Sequence, residues 1–176
     1  TFALYEITKK NVRYATAGSN PQTYQTYGEQ QSRGFEASLA GQLAARLKAV
    51  ANFSYIDFAK VTVDASGREG NALYGVPKTS WNVWGVYDLP IALPGKLSAG
   101  LGVVRVEKRP ADQAGSGFRL PAYTRYDAGV FYKLSKLDFA LNLKNIGDAN
   151  IFDTADGYFV QRQPSRSVTL TAGLEF

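Results

Sequence analysis

The side chains available for chemistry in this chain of 176 residues are carboxylates, amines, guanidinium groups, hydroxyls and aromatic rings, because His and Cys are absent. Without His, the Ser-His-Asp and Cys-His arrangements of nucleophilic catalysis cannot be assembled from this chain alone. A disulfide framework and a Cys/His metal cluster are also excluded, whereas a metal ion held by carboxylates is not. The composition therefore argues against an enzyme.

The charge balance is basic, with 20 Lys and Arg against 15 Asp and Glu and a net charge of +5. Such a balance suits nucleic acid or an anionic surface. The basic residues are scattered, however, with no cluster longer than a pair, which indicates a solvated surface of mixed charge. No run approaches the roughly 20 apolar residues of a membrane helix, so any membrane span must consist of β-strands.

The clearest strand pattern lies in residues 166–176. Side chains alternate between two faces of a strand with period two. One face carries Val168, Leu170, Ala172, Leu174 and Phe176, and the other carries Ser167, Thr169, Thr171, Gly173 and Glu175. An apolar face opposite a small, polar face is typical of a transmembrane β-strand beside a wet lumen. A strand of a soluble sandwich alternates in the same way, so one strand alone does not decide between them.

The same alternation predicts eight strands. They are expected at residues 2–10, 33–42, 47–57, 80–88, 97–105, 123–133, 137–144 and 166–176. In the fourth strand, Trp81 is assigned to the outward face, while the facing of Trp84 stays open. Among the assigned outward positions only Arg105 is charged, and it lies at a strand end. The inward positions are rich in Gly, Ser, Thr and Asn, which indicates a solvated lumen wall rather than a layer of a sandwich.

The predicted connections alternate between long and short. Long loops are centred near residues 20, 67, 113 and 156, and short turns near 44, 92 and 135. Because outer-membrane barrels have long extracellular loops and short periplasmic turns, this order predicts a direction across the membrane. Tyr87, Tyr132 and Phe176 then lie at the periplasmic ends of their strands, where an aromatic girdle is expected. The predicted fold is all-β, an antiparallel up-and-down transmembrane barrel segment of about eight strands.

Five stretches resemble the barrel of the TonB-dependent siderophore receptors. The most specific is GEQQSRGFEASLAG at residues 28–41, which is similar to the family's G-E-x-x-S-R-G-x-E strand. Further similarity lies in YEITKKN at 5–11, LPAYTRYDA at 120–128, NLKNIGD at 142–148, and PSR at 164–166 before the terminal strand and its final Phe. Two positions depart from the family pattern, Ile151 in place of Tyr and Gln163 in place of Gly, and both lie in or beside a variable loop.

The resemblance implies that residues 1–176 form the C-terminal segment of a plugged barrel of about 22 strands, in the outer membrane of a Gram-negative bacterium. The chain begins with Thr1 and shows no signal peptide, so it is expected to be a piece of a longer or processed protein whose plug lies elsewhere. The implied partners are a ferric siderophore, the TonB-ExbB-ExbD complex through the plug segment, outer-membrane lipid, and the barrel assembly machinery through the strand ending in Phe176. No nucleic acid and no cofactor is implied, iron entering only as siderophore cargo.

The resemblance also implies that loop residues capture the siderophore. Aromatic rings could stack on the ligand and arginines could meet its negative charge. The candidates are Tyr24, Tyr27, Tyr74, Phe118, Arg119, Tyr158, Phe159 and Arg162. An ordinary loop-packing ring or a solvated arginine is the alternative interpretation of each.

Two other functions stay open. A self-contained eight-stranded barrel could act as an anchor or adhesin, but its interior would be filled by side chains, and the Gly and Ser of the inward face argue against such filling. A soluble sandwich that binds nucleic acid or carbohydrate would need an apolar core shared by two sheets, which the inward face does not provide.

Overall fold

A computed structural model describes residues 1–16, 18–64, 67–112, 115–155 and 159–176. Twelve β-strands cover most of these residues. They are β1 (Phe2–Ala15), β2 (Tyr24–Ala44), β3 (Leu47–Val63), β4 (Thr79–Asp88), β5 (Lys96–Val106), β6 (Arg109–Pro110), β7 (Arg119–Leu120), β8 (Tyr123–Leu134), β9 (Leu137–Lys144), β10 (Phe152–Ala155), β11 (Val160–Arg162) and β12 (Ser167–Leu174). Among the described residues there is no helix long and apolar enough to cross a membrane.

Eight of the strands form one antiparallel sheet in the order β1-β2-β3-β4-β5-β8-β9-β12. The remaining strands form two small hairpins, β6 with β7 and β10 with β11, within the connections at one end of the sheet. Short turns join β2 to β3, β4 to β5 and β8 to β9 at the opposite end. The prediction of eight meandering strands with alternating long and short connections is confirmed.

The strand register separates two faces across the whole sheet. One cross-strand row contains Leu39, Ala51, Val83, Val103 and Tyr126, and the neighbouring row contains Ser38, Asn52, Asn82, Val104 and Arg125. We call the face that carries the first row the apolar face and the face that carries the second row the polar face. The apolar face leaves large hydrophobic groups uncovered, and both Leu101 and Leu170 are 72% exposed. The facing predicted for residues 166–176 and for Trp81 is therefore confirmed in the register, whereas in β1 the apolar face carries Phe2 and Leu4 rather than Ala3, Tyr5 and Ile7.

Aromatic rings border the apolar face at both ends. Tyr87 and Tyr132 lie near the short turns, as predicted for a girdle. At the other border the ring centroid of Phe35 lies 5.6 Å from that of Phe53 and 5.5 Å from that of Tyr55. Aromatic residues are enriched at both membrane interfaces because their rings are amphipathic. The two aromatic borders therefore mark the edges of the lipid-facing band.

Trp84, whose facing the sequence left open, lies on the polar face, because it pairs with Val50 and Gly102 in the row beside Val83. Its ring covers β5. A Cβ added at Gly102 would lie 2.4 Å from Trp84 Cε3, and one added at Gly100 would lie 2.6 Å from Trp84 Cζ2. These glycines therefore make room for the aromatic ring of Trp84 on the polar face.

Strands β1 to β3 are longer than predicted. The polar stretch at residues 11–28 was expected to be a loop, yet most of it pairs in the hairpin of β1 and β2. At about 3.4 Å per residue, the 21 residues of β2 extend over about 70 Å, whereas a bilayer needs only about 9–11 residues. Outside the lipid both faces of a strand are wet, so the alternation that predicts strands disappears although the backbone pairing continues.

The sheet is a single layer whose edges are β1 and β12. Within the described residues β1 pairs only with β2, and β12 only with β9. Among the side chains that the structure describes, the fully buried hydrophobic ones are few and lie at or near the end with the long connections; they are Val61, Ala111, Leu120 and Ile151. The sheet therefore has no apolar core of its own.

Candidate functional site

The long connections at residues 64–78, 107–122 and 145–166, which we call loops 2, 3 and 4, are tied to one another. Loop 2 folds back on β3, where the backbone N–H of Val61 donates to the carbonyl of Asn71 at 2.9 Å. It then meets loop 3, because the N–H of Gly75 donates to the carbonyl of Pro110 at 2.8 Å. The described part of loop 2 is therefore fixed between β3 and the β6–β7 hairpin.

Arg109 joins loop 3 to loop 4. Its side chain is almost fully buried, and its Nη2 donates to the carbonyls of Phe152 at 2.6 Å and Asp153 at 2.7 Å. The guanidinium also lies 5.8 Å from the ring centroid of Tyr123, within the range of a cation–π contact. Beside it, Ala111 and Leu120 pack against Phe152 and form a small apolar core. Loops 3 and 4 therefore form one packed body.

The base of loop 4 is held by charged and amide groups. Arg125 pairs with Asp127 at 3.0 Å, and its Nη1 donates to Gln163 at 3.3 Å. Asp127 also accepts the N–H of Asn145 at 2.8 Å, and Asp148 accepts the N–H of Arg166 at 2.8 Å. Both Asn145 and Asp148 have positive φ, a conformation that Asn and Asp tolerate better than most residues. The NLKNIGD motif thus builds the turn on which loop 4 stands.

Three of the predicted ligand residues are brought to one place. Tyr74 precedes Gly75, whose N–H donates to the carbonyl of Pro110. Pro110 pairs with Arg119 in the β6–β7 hairpin. The N–H of Ala111 donates to the carbonyl of Phe118 at 3.0 Å. The side chains of Tyr74 and Phe118 are about half exposed, and Arg119 is exposed. Two aromatic rings and one cation are therefore accessible on neighbouring segments.

Two more predicted residues lie on the β10–β11 hairpin. Phe159 is 77% exposed, and Arg162 is exposed and donates to the hydroxyl of Ser165 at 3.2 Å. The hairpin is fastened to loop 3 by Arg109. Tyr158 lies outside the described residues.

Tyr24 and Tyr27 occupy a different position from the one predicted. Both belong to β2 rather than to a loop. The ring of Tyr24 is about half exposed and lies 3.7 Å below the guanidinium of Arg13 in the β1–β2 hairpin. Only the backbone of Tyr27 is described. No described contact joins this hairpin tip to loops 3 and 4.

Arg109 could not be identified from the sequence, because a single arginine in a polar stretch shows no sign that it will be buried. The described residues contain no group of three or more His, Cys, Asp or Glu that could hold a metal ion. The exposed candidate side chains of loops 2 to 4 are rings and guanidinium groups, which can stack on a planar ligand and attract its negative charge.

Comparisons with known proteins agree on one family. Residues 1–146 match the family model described as TonB dependent receptor-like, beta-barrel. The metal-pseudopaline receptor CntO of Pseudomonas aeruginosa is 35% identical over 178 residues, covering 100% of this chain and 25% of that protein. The probable TonB-dependent siderophore receptor PiuA of Acinetobacter baumannii is 29% identical over 189 residues, covering 100% of this chain and 24% of that protein.

Solved structures share the fold. The crystal structure of the siderophore receptor PiuA from Acinetobacter baumannii superposes with a TM-score of 0.81 at 27% identity, covering 98% of this chain and 25% of that one. The chain thus spans about a quarter of the length of these relatives. The polar face is the lumen wall and the apolar face meets lipid. The chain belongs to the TonB-dependent receptor family and forms part of its β-barrel in the Gram-negative outer membrane.

Proposed function

We propose that residues 1–176 are the C-terminal barrel segment of a longer receptor that binds a ferric siderophore and imports it across the outer membrane. The observation that carries this proposal is the family match over residues 1–146 together with relatives whose names describe siderophore and metal-chelate receptors. The packed body of loops 2 to 4 supports it, because this body presents exposed rings and cations at the extracellular end. In this proposal iron is cargo and the chain holds no resident cofactor.

The proposed ligand surface consists of Tyr74, Phe118 and Arg119 on one side and Phe159 and Arg162 on the other. An aromatic ring at an exposed site attracts a cation or a planar group weakly, by about 0.5–1 kcal/mol per contact. Several such contacts are therefore needed for useful affinity. Tyr24, Tyr27 and Tyr158 are proposed as outlying contacts.

The proposed partners follow from the family. Import would be driven by TonB with ExbB and ExbD, which would act on a plug segment outside these residues. The barrel assembly machinery would recognise the terminal strand, whose last residue, Phe176, is fully exposed. The family consists of transport receptors, so we propose neither catalysis nor nucleic-acid binding for this chain.

Uptake of radioactive iron tests the proposal. A strain that lacks its own siderophore receptors would express the full-length receptor, and ferric hydroxamates and ferric catecholates would be supplied one at a time. We expect uptake of one class, its loss on deletion of TonB, and an apparent affinity about tenfold weaker in the double variant Phe118→Ala/Arg119→Gln. Lys136→Gln, in a short turn at the opposite end of the sheet, is the matched control. Absence of uptake for every chelate, or uptake that persists without TonB, would contradict the proposal.

A second candidate substrate is a metal–pseudopaline chelate. It is favoured by one observation, the 35% identity to a receptor named for metal-pseudopaline. Parallel uptake assays with metal–pseudopaline and with ferric siderophores would distinguish the two substrates. By contrast, the anchor or adhesin alternative requires a closed eight-stranded barrel, and the described residues show no pairing between β1 and β12 to support it.

A further inference from the structure

The turn between β4 and β5 differs in composition from the two other short turns at its end of the sheet. Residues 89–95, which we call the apolar turn, have the sequence LPIALPG and carry no charge. By contrast, the β2–β3 turn contains Arg46 and the β8–β9 turn contains Lys136. The side chains of Ile91 and Leu93 are about half exposed. Neighbouring aliphatic groups that are left uncovered, with no charge between them, are suited to an apolar medium.

The backbone of the apolar turn satisfies most of its own hydrogen-bond donors. Its two prolines have no N–H group. The N–H of Leu89 donates to the carbonyl of Leu97 at 2.9 Å. The N–H groups of Ile91 and Leu93 each donate to the carbonyl two residues earlier, also at 2.9 Å. Because lipid offers no hydrogen bonds to the backbone, a segment enters it at low cost only when the protein supplies these partners. The apolar turn largely meets this requirement.

The end of the apolar turn is held on the lipid-facing side of the sheet. Tyr132 pairs with Leu97 in a row of the apolar face, and its hydroxyl donates to the carbonyl of Pro94. Gly95 lies against β8, since a Cβ added there would be 2.3 Å from the carbonyl oxygen of Lys133. The apolar turn therefore closes beside the tyrosines of the girdle rather than over the lumen.

The charged residues that flank the apolar turn point to the other face. Asp88 and Lys96 adjoin its two ends, and their side chains pair at 2.7 Å. Asp88 also accepts a hydrogen bond from the hydroxyl of Ser98 at 2.7 Å. Each of the two charged residues lies one position from a residue of the apolar face, Tyr87 or Leu97, and so belongs to the polar face. Contact between the apolar turn and lipid would therefore leave this ion pair in the wet lumen.

The apolar face also continues past its tyrosines on the neighbouring strands. Beyond the row of Tyr132, the next row of this face joins Leu134, Leu137 and Leu174. Leu137 and Leu174 are exposed. These leucines lie at the same end of the sheet as the apolar turn. The lipid-facing surface is therefore continuous with the height at which the apolar turn stands.

We propose that the apolar turn inserts into the periplasmic leaflet of the outer membrane and holds this side of the barrel there. Ile91 and Leu93 would contact the glycerol and upper acyl-chain region of the phospholipids, and Tyr132 would lie at the level of the headgroups. A turn already fixed by prolines and hydrogen bonds loses little conformational entropy when it enters lipid. This inference rests on the lipid-facing assignment of the apolar face and holds whether or not the proposed siderophore import is correct.

Fluorescence quenching of a single label tests the insertion. These residues contain no Cys, so Ala92→Cys provides one labelling site in a full-length receptor without other cysteines. The receptor would be labelled with bimane and placed in phospholipid nanodiscs, in which both sides of the membrane are open to solvent. Phosphatidylcholine with a nitroxide near its glycerol reports contact with lipid, and iodide reports contact with water.

Ala45→Cys in the β2–β3 turn is the matched control, because Ala45 and Ala92 are both exposed in short turns at the same end of the sheet. We expect the nitroxide lipid to quench the label at residue 92 several-fold more than the label at residue 45, and iodide to show the opposite order. Adding Ile91→Ser/Leu93→Ser should abolish this difference, because it removes the aliphatic groups that favour lipid.

Equal iodide quenching of the two labels would refute the insertion, and the exposed aliphatic groups would then suit an apolar groove of a periplasmic protein. Lipid quenching that persists in the serine variant would refute the role of Ile91 and Leu93. A heat-modifiable shift on gels shows that each variant is folded. Siderophore uptake is measured separately, so failure of the insertion and failure of the proposed function are distinguishable.

Discussion

Removing Arg109 should separate loop 4 from loop 3 while the barrel strands stay intact. In Arg109→Gln the Nη2 donor is lost, and the carbonyls of Phe152 and Asp153 lose their described side-chain partner. Hydrogen bonds from a charged donor contribute about 1.5–3 kcal/mol each. Part of this gain is offset in the wild type, because Nη1 of Arg109 is buried without a hydrogen-bond partner, which costs about 1–3 kcal/mol.

The net loss on Arg109→Gln is therefore about 3 kcal/mol of local stability, or about 100-fold in the opening equilibrium of the loop body. Amide hydrogen exchange of the full-length receptor measures this equilibrium directly. Exchange should become about 100-fold faster at Ala111 and in the segment around Gln163, which bond within the two loops. Amides of β5 should keep their protection.

Two further variants make the measurement specific. Lys108→Gln changes the exposed neighbour of Arg109 and should leave exchange unchanged. Arg109→Lys should recover part of the protection, because both hydrogen bonds come from one nitrogen, which an ammonium could replace. Unchanged exchange in Arg109→Gln, or the same acceleration in Lys108→Gln, would refute the view that Arg109 joins the two loops.

The remaining predictions concern the sheet. Gly102→Ala should destabilise the folded barrel by about 1–3 kcal/mol in urea titrations, because the new Cβ would overlap Trp84. Adding Trp84→Leu should relieve part of this cost. Gly41→Ala is the control and should be near neutral, because nothing lies within 4 Å of a Cβ added there. An equal effect at both glycines would contradict the packing seen on the polar face. Leu170→Lys, on the lipid-facing side in the middle of β12, should cost about 2–4 kcal/mol for folding into vesicles, while Thr171→Lys, on the lumen side of the same strand, should cost far less. Similar losses for both lysines would show that β12 does not separate lipid from water.

The strands inside the membrane were the most predictable part of the fold. Residues 137–144 were expected to form a strand, and β9 covers the same residues. The alternation is strong there because one face meets lipid and the other meets the lumen. The β1–β2 hairpin beyond the membrane was predicted as a loop, since polar residues occupy both of its faces.

The candidate site was only partly predictable. The choice of rings and arginines in the loops is a compositional inference. The structure describes Phe118, Arg119 and Phe159 as exposed residues at the loop end, and their role in ligand binding stays a prediction. Their grouping depends on Arg109, which reaches across 43 residues to the carbonyl of Phe152. A contact between such distant segments has no local pattern in the sequence.

The amino-acid sequence by itself determined the all-β class, the number and direction of the membrane strands, and the family. These properties follow from side-chain alternation and turn composition, which are local features of the sequence. The alternation arises because one face of each strand meets lipid and the other meets the aqueous lumen. Only the tertiary structure decided which face Trp84 occupies, how far β1 to β3 extend, and how loops 3 and 4 are joined. These features depend on the register between strands and on contacts between distant segments, where the deciding partner of each residue lies elsewhere in the chain.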